Sequence, residues 1–190
     1  RGFDHRKVAL CVGVQKMVRS DQASSGVIFT IDTQSGSNNV ITVNSVLGLG
    51  ENIVGGRINP DEFYVFKPTL KADKNAIIKR QLGSKELKMI YDDKHKTLNI
   101  ATTEYERASF SLSDDEVVTL ARYALAIEDH YGMAMDIEWA KDSMDGNLYI
   151  VQARPETVAS QRSMNVLEMY HLDGDGPTRI TGRAVGAKVA

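Results

Sequence analysis

Residues 134–154 form a hairpin pattern: Ala134-Met-Asp-Ile-Glu-Trp-Ala140, then Lys141-Asp-Ser-Met-Asp-Gly146, then Asn147-Leu-Tyr-Ile-Val-Gln-Ala-Arg154. Side chains of a strand point to alternate faces of the sheet, so residues two apart share a face. The odd positions are apolar and predict a face that packs on a core: Ile137, Trp139, Tyr149, Val151 and Ala153. The even positions carry two carboxylates, an amide and a guanidinium: Asp136, Glu138, Gln152 and Arg154.

The loop length decides which of these residues face one another. A three-residue loop at 144–146, with Gly146 in the left-handed conformation, pairs Glu138 with Gln152 and Asp136 with Arg154. A two-residue turn would shift the register by one and put the two apolar sets on opposite faces. The apolar pattern therefore favours the three-residue loop and these two cross-strand pairs.

The four polar residues suit phosphate chemistry. Carboxylate and amide oxygens are hard ligands, which Mg²⁺ takes together with substrate phosphates. A guanidinium offers a planar fork that matches phosphate oxygens. Phosphoryl transfer needs mainly positioning and charge neutralisation, which this set supplies. The alternative is a solvated face with cross-strand ion pairs, and the pattern by itself leaves both interpretations open.

Composition excludes several classes of protein. The chain has 190 residues, 42% hydrophobic and 25% charged, which is typical of a soluble globular domain. No apolar run approaches the roughly 20 residues that span a bilayer, and a net charge of -2 gives no basic footprint for nucleic acid. The single cysteine, Cys11, excludes an internal disulfide and favours a reducing, cytoplasmic compartment. The start at Arg1, without methionine, predicts a piece of a longer protein.

Strand signals recur along the first half of the chain. Apolar and β-branched runs predict a buried strand at 7–18, with Cys11 as an inert core thiol, and further strands at 26–31, 40–43, 62–66 and 76–78. A short helix is predicted at 51–54, and residues 92–96 form a polar tip.

One longer helix is well marked. Ser113 and Glu116 make a capping box, and Leu112 and Val117 are placed for a hydrophobic staple. Apolar residues then recur at helical spacing as far as Gly132, which predicts the end of the helix.

Other segments carry weaker signals. Gly48-Leu-Gly50-Glu51 is neither a Walker A loop nor a complete dinucleotide fingerprint, and turn glycines explain it better. Gly83-Ser-Lys85 predicts an anion site or a plain turn, and Arg19 with Lys16 a phosphate contact or solvated charges. The histidines show no metal-binding spacing: His5, His95, His130 and His171.

Four segments resemble the nucleotide-binding region of the phosphoenolpyruvate synthase (pyruvate, water dikinase) family. They are Val12-Gly-Val-Gln-Lys-Met-Val-Arg-Ser20; Ser25-Gly-Val-Ile-Phe-Thr-Ile-Asp-Thr33; Gly48-Leu-Gly-Glu51 with Asn59-Pro-Asp-Glu-Phe-Tyr-Val65; and Met135-Asp-Ile-Glu-Trp-Ala140 with Ile150-Val-Gln-Ala-Arg-Pro-Glu-Thr157. The last pair also occurs in the broader dikinase group, which includes pyruvate, phosphate dikinase and rifampin phosphotransferase.

The resemblance implies an α+β fold that is the carboxyl-terminal half of an ATP-grasp fold, with a mixed or antiparallel sheet and flanking helices. It implies an ATP-grasp subdomain at 1–160, a linker at 161–178 and the truncated start of a swivelling phosphohistidine domain at 179–190. On this resemblance, the amino-terminal ATP-grasp half and the pyruvate-binding barrel are expected to lie outside the chain.

The resemblance also implies roles for individual residues. Gln15, Lys16, Met17 and Val18 would line the adenine pocket, and Glu51 would face the nucleotide. Glu138 and Gln152 match the family's Mg²⁺ ligands, with Asp136 in support, and Arg154 matches the arginine that grips the transferred phosphates. These last four are the residues that the alternation of the hairpin selects.

The implied reaction converts ATP, pyruvate and water to AMP, phosphoenolpyruvate and phosphate through a phosphohistidine, as part of pyruvate metabolism and gluconeogenesis. The expected partners are ATP, the swivelling domain of the same polypeptide and the missing amino-terminal half, with no nucleic acid and no membrane, in a homo-oligomeric parent protein. The isolated chain should be inactive. The alternatives are a half-site of another dikinase-like phosphotransferase and a non-catalytic nucleotide-binding module.

Overall fold

The computed structural model describes residue 9 and residues 11–157. The strands are β1 Ser24–Phe29, β2 Val40–Leu47, β3 Asp61–Phe66, β4 Ile77–Gln81, β5 Leu87–Tyr91, β6 Thr97–Ala101, β7 Met135–Lys141 and β8 Leu148–Pro155. The helices are α1 Glu51–Val54, α2 Lys67–Lys71, α3 Glu104–Ala108 and α4 Asp114–Tyr131. The strands predicted at 26–31, 40–43, 62–66 and 76–78 correspond to β1 to β4, and α1 has the predicted bounds.

Six strands form one sheet in the order β4-β3-β2-β1-β7-β8, and β5 pairs with β6 in a separate two-stranded sheet. Every strand pair is antiparallel. The prediction of an α+β fold with an antiparallel sheet is therefore confirmed. Because β7 pairs with β1, the hairpin of β7 and β8 extends the sheet on the side away from β2 to β4.

One face of the six-stranded sheet packs on α4, which begins and ends where the sequence predicts. Ser113 Oγ accepts from the backbone N–H of Glu116, whose carboxylate accepts from the backbone N–H of Ser113. Gly132 follows the helix in the left-handed region, with a φ of 66°. The helix and the sheet bury one apolar cluster that includes Ile28, Val43, Phe63, Val65, Leu112, Val117, Leu120, Ala121, Ala124 and Ile137.

Trp139 lies against β1 at a point where only glycine fits. A Cβ on Gly26 would lie 1.9 Å from the carbonyl oxygen of Asn44 and 2.9 Å from Trp139 Nε1. The indole N–H donates to that carbonyl at 3.3 Å, and Trp139 is 1% exposed. This close approach holds β7 against β1 and β2, so it positions the strand that carries Asp136 and Glu138.

The hairpin of β7 and β8 confirms the predicted pairs but not the predicted loop. Glu138 pairs with Gln152 and Asp136 with Arg154, whereas Trp139 pairs with Ile150. The register shifts by one between Glu138 and Trp139, a β-bulge that leaves Val151 without a cross-strand partner.

The bulge corrects two expectations about β8. The connection between the strands spans 142–147, so the three-residue loop at 144–146 is wrong, although Gly146 has the predicted positive φ, 73°. Leu148 and Ile150 pack on the core, in place of Tyr149 and Val151. Ala153 is exposed, since β8 is the edge strand of the sheet.

A buried ion pair anchors the segment between the two sheets. Lys85 Nζ donates to Asp61 Oδ1 at 2.5 Å, and both side chains are 0% exposed. Asp61 also accepts from the backbone N–H of Gly83 at 2.9 Å and from the backbone N–H and hydroxyl of Ser111 at 2.8 and 2.6 Å. The network joins the start of β3 to the segments before β5 and α4.

The predicted strand at 7–18 is wrong for its described part. Residues 11–18 form no helix or strand, and Val12 and Val14 are 89% and 96% exposed. A strand needs a neighbour to complete its hydrogen-bond ladder, and the described part of the chain pairs none with this segment. Cys11 is exposed, so it is not a core thiol. The remainder of this strand, apart from residue 9, lies outside the described residues.

The sequence reading missed α2, α3, β5 and β6. Thr103 and Glu106 form a capping box at the start of α3, the same signature that marks α4. Residues 92–96, predicted as a polar tip, form the turn between β5 and β6. Among the described residues, no helix has the length and apolar character that crossing a bilayer requires.

Candidate functional site

The face of the six-stranded sheet opposite α4 carries four of the nine predicted site residues in two cross-strand rows. Residues that pair across strands project from the same face. The first row places Gln152, Glu138, Val27, Asn44 and Glu62 side by side on β8, β7, β1, β2 and β3. The second row, on the same five strands, is Arg154, Asp136, Phe29, Thr42 and Tyr64.

A groove of about 510 Å³ lies at the end of this face where β1 begins and β7 ends. Its walls are residues 15–18, α1 with the glycine before it, and parts of β1, β7 and β8. Six of the nine predicted site residues line it: Gln15, Lys16, Met17, Val18, Glu51 and Glu138. Segments far apart in sequence therefore meet in one concave surface.

The wall at 15–18 is held by the turn between β7 and β8. Lys16 Nζ lies 3.2 Å from Asp142 Oδ2 and 3.4 Å from Asp145 Oδ2, and 5.2 Å from the centre of the Tyr149 ring. These carboxylates raise the pKa of Lys16. The Tyr149 hydroxyl, with the backbone N–H of Asn147, lowers the pKa of Asp145 to about 2.

The sequence did not predict that Asp142 and Tyr149 contact Lys16. Asp142 is 1% exposed although it lies in a hairpin turn, and its carboxylate also accepts from the backbone N–H of Met144. Ser143 N–H donates to the carbonyl of Arg19, which adds a backbone link between the same two segments. An acidic hairpin turn and a distant lysine give no local signal that they pair.

The opposite wall is formed by the glycine-rich turn and α1. Ser25 Oγ donates to the carbonyl of Gly48 at 2.7 Å, which ties this turn to β1. Gly48 has a φ of 81°, and a Cβ there would lie 2.3 Å from the carbonyl oxygen of Met89. Close packing on β5 therefore explains this glycine, and Glu51 follows as an exposed residue at the start of α1.

The Glu138–Gln152 pair fits a magnesium ion that keeps other ligands. Their pairing across β7 and β8 places a carboxylate and an amide side by side on one face. Mg²⁺ commonly takes one or two protein oxygens and completes its octahedron with water and phosphate oxygens. The described residues contain no group of three or more His, Cys, Asp or Glu side chains with metal-binding geometry, so a cage made by protein alone is not present among them.

The Asp136–Arg154 pair is an ion pair at the edge of the sheet. Arg154 Nε donates to Asp136 Oδ2 at 2.8 Å, and Arg154 Nη2 lies 2.7 Å from the same oxygen. The arginine side chain is 63% exposed, and the carboxylate of Asp136 raises the pKa of Arg154. Asp136, Gln152 and Arg154 do not line the groove but continue along the same face from Glu138.

The weaker candidates resolve as structural features. Arg19 forms a two-bond fork with Asp21 at 2.8 and 3.0 Å, so its charge is already paired. Lys85 is buried against Asp61 and does not present an anion site to solvent. His95 and His130 are exposed, in a turn and at the end of α4, whereas His5 and His171 lie outside the described residues.

Comparison with known proteins places the chain in a family. Residues 1–173 match the family described as "Pyruvate phosphate dikinase, AMP/ATP-binding domain". The chain belongs to this family.

Curated relatives of the chain support its membership of this family. The chain is 54% identical to a phosphoenolpyruvate synthase of Neisseria meningitidis over 194 residues, which cover 100% of the chain and 24% of the relative. It is 52% identical to that of Escherichia coli K12 (100% and 24% covered) and 40% identical to that of Pyrococcus furiosus (86% and 20% covered). The chain thus spans about a quarter of the length of these relatives.

Proposed function

We propose that the chain is the Mg-ATP-binding half-site of a phosphoenolpyruvate synthase and the carboxyl-terminal half of an ATP-grasp fold. The observation that carries this proposal is the continuous surface from the groove to the two cross-strand pairs. Residues 15–18 and Glu51 flank the groove, Glu138 lines it, and Asp136 and Arg154 lie in the next row. Family membership and identity to phosphoenolpyruvate synthases support the same assignment.

Each residue then has a role that its position permits. The backbone and side chains of Gln15, Lys16, Met17 and Val18 bind the adenine, and Glu51 faces the ribose end of the nucleotide. Glu138 and Gln152 hold Mg²⁺, which neutralises phosphate charge when it is bound.

Arg154 exchanges Asp136 for the transferred phosphates. The exchange is open to Arg154 because its side chain is 63% exposed, whereas the Asp136 side chain is 14% exposed. Asp136 orients the guanidinium until phosphate arrives, so it supports the site without binding the nucleotide itself.

The longer relatives motivate the remaining assignments. We place the ATP-grasp subdomain at 1–160, a linker at 161–178 and the start of a swivelling phosphohistidine domain at 179–190, of which residues 158–190 lie outside the described part. The parent protein is a cytoplasmic homo-oligomer that passes a phosphoryl group from ATP to a carrier histidine and then to pyruvate. The chain alone binds ATP weakly and has no turnover, because catalysis needs both walls of the cleft.

Titration of the chain with ATP, with and without Mg²⁺, tests the half-site. Binding should strengthen with Mg²⁺ in the wild type, and the double variant Glu138→Ala with Gln152→Ala should lose this dependence. The matched control is Glu86→Ala with Gln34→Ala, two exposed residues away from the groove. Mg²⁺-dependent binding that survives the first double variant contradicts the metal assignment.

A further inference from the structure

The face that carries the candidate site also holds two buried polar atoms without partners. Thr42 Oγ1 and Asn44 Oδ1 make no hydrogen bond within the described chain. Thr42 is 6% exposed, and both residues lie on β2. A buried polar atom that makes no hydrogen bond is costly, and in native proteins it calls for an explanation such as a missing ligand.

Strand register places both atoms beside the candidate site. Val27 pairs with both Asn44 and Glu138, and Phe29 pairs with both Thr42 and Asp136. Each residue of β2 is therefore two strands, about 10 Å between Cα atoms, from a carboxylate of the site. The two atoms face the same side of the sheet as Asp136 and Glu138, and neither residue lines the groove.

The surroundings decide which chemistry the two atoms fit. Asn44 pairs with Glu62 on one side and with Val27 on the other, and Glu138 lies one strand beyond Val27, so the charged residues nearest to Asn44 in its row are carboxylates. The negative charge near Asn44 repels an anion. A phosphate on this face would therefore bind at the Arg154 guanidinium rather than at Asn44. An amide oxygen accepts hydrogen bonds, so its partner must carry an N–H or O–H.

We propose that Thr42 and Asn44 bind and orient the group that accepts the phosphoryl from ATP, a neutral N–H or O–H donor such as an imidazole or a hydroxyl. This inference rests on the proposed function and adds to it the residues that bind the phosphoryl acceptor. In the transfer, the acceptor's lone pair joins phosphorus, the bond to the departing oxygen breaks with its electron pair, and the acceptor's proton passes to solvent. Thr42 and Asn44 move no proton themselves.

The test uses the full-length protein with the near-isosteric variants Thr42→Val and Asn44→Leu. Single-turnover transfer from radiolabelled ATP should fall at least tenfold, with ATP affinity within twofold of wild type. Thr42→Ser, which keeps the hydroxyl, should retain transfer. Label that stays on the protein after gel filtration identifies a side-chain acceptor, and label in a small molecule other than ATP, ADP, AMP or phosphate identifies a small-molecule acceptor.

The matched control is Ser24→Ala. Ser24 Oγ is also buried and unpartnered among the described residues, but it lies on the face that packs on α4, so its loss should leave transfer unchanged. Thermal unfolding separates orientation from structure: Thr42→Val and Asn44→Leu should leave the midpoint unchanged or raise it, because they remove polar atoms without partners.

Two results would overturn the inference while leaving the half-site intact. Weaker ATP binding with normal transfer at saturation would place Thr42 and Asn44 on the nucleotide side. Normal binding and normal transfer would mean that the two atoms hold only water. Loss of Mg²⁺-dependent ATP binding in Glu138→Ala with Gln152→Ala is a separate result, so the two proposals fail independently.

Discussion

Two ion pairs of this molecule have similar chemistry and opposite environments. Asp61 and Lys85 are 0% exposed and belong to a network that also includes Ser111. Asp136 and Arg154 lie at the sheet edge, where the arginine side chain is 63% exposed. The first pair links segments of the fold, and the second lies beside the groove.

Burial, rather than the presence of an ion pair, therefore separates the pair that is fixed in the fold from the pair that can change partners. A buried charge that loses its partner is left uncompensated in a medium of low dielectric, so the Asp61–Lys85 pair cannot exchange partners. An exposed guanidinium loses little when it changes partners, since water screens both states. Arg154 is therefore available to a phosphate, and Lys85 is not.

The largest effect on stability is expected from Lys85→Met. This change leaves the Asp61 carboxylate buried without its cation, which should lower the free energy of unfolding by about 3–5 kcal/mol. Urea denaturation of the chain measures it. Lys94→Met, at an exposed lysine of the turn after β5, is the matched control and should change the value by less than about 0.5 kcal/mol. A loss below about 1 kcal/mol for Lys85→Met would contradict the structural role of the pair.

An intermediate effect is expected from Arg19→Met. Asp21 is 4% exposed, and its fork with Arg19 lowers the pKa of that carboxyl group. Loss of the guanidinium should cost about 1–3 kcal/mol at pH 7, because Asp21 stays buried.

The pH dependence of Arg19→Met gives a second readout. A carboxyl group with a lowered folded pKa stabilises the fold above its unfolded pKa, about 3.9, and this contribution is lost as pH falls through the folded value. The stability difference between wild type and variant should therefore be full near pH 7 and shrink below about pH 4. A difference that is constant from pH 7 to pH 2 would show that packing of the arginine stem, rather than the ion pair, is responsible.

The smallest effect on stability is expected from Arg154→Met, about 1 kcal/mol or less, because the arginine is 63% exposed and the Asp136 carboxylate that loses it, 14% exposed, is less buried than Asp21 or Asp61. In the full-length protein, the same change should abolish ATP-dependent phosphorylation of the proposed carrier histidine, measured by incorporation of label from ATP. An Arg154→Met variant that is stable but transfers no phosphoryl group would show that this ion pair, unlike Asp61–Lys85, is not needed for the fold. Normal phosphorylation would remove Arg154 from the proposed site.

Much of the fold was predictable where the signal is local. The capping box of Ser113 and Glu116 specifies where α4 begins, because both partners lie within one helical turn. Alternation along β7 and β8 identified the residues that share one face, and the pairs Glu138–Gln152 and Asp136–Arg154 were correct although the loop was wrong, because the bulge offsets the longer connection. The same alternation failed near the turn, where the bulge at Val151 adds a residue that no local pattern announces.

Features that depend on distant partners were not predictable. The β-branched residues near Val12 have the composition of a strand, but no described strand pairs with them. Nothing in the residues beside Lys85 and Lys16 marks their partners, yet Lys85 is buried against Asp61 and Lys16 is held at the groove by Asp142. The carboxylate with which each lysine forms an ion pair depends on how the sheets assemble.

Local patterns were enough to specify the α+β class, the limits of α4 and the four polar residues on one face of the hairpin, because each depends on spacing within a short segment. Only the tertiary structure brought residues 15–18 and Glu51 to the same groove as Glu138, and placed Thr42 and Asn44 in line with the carboxylates. Strand order decides such neighbours, and strand order is set by the packing of the whole sheet on α4.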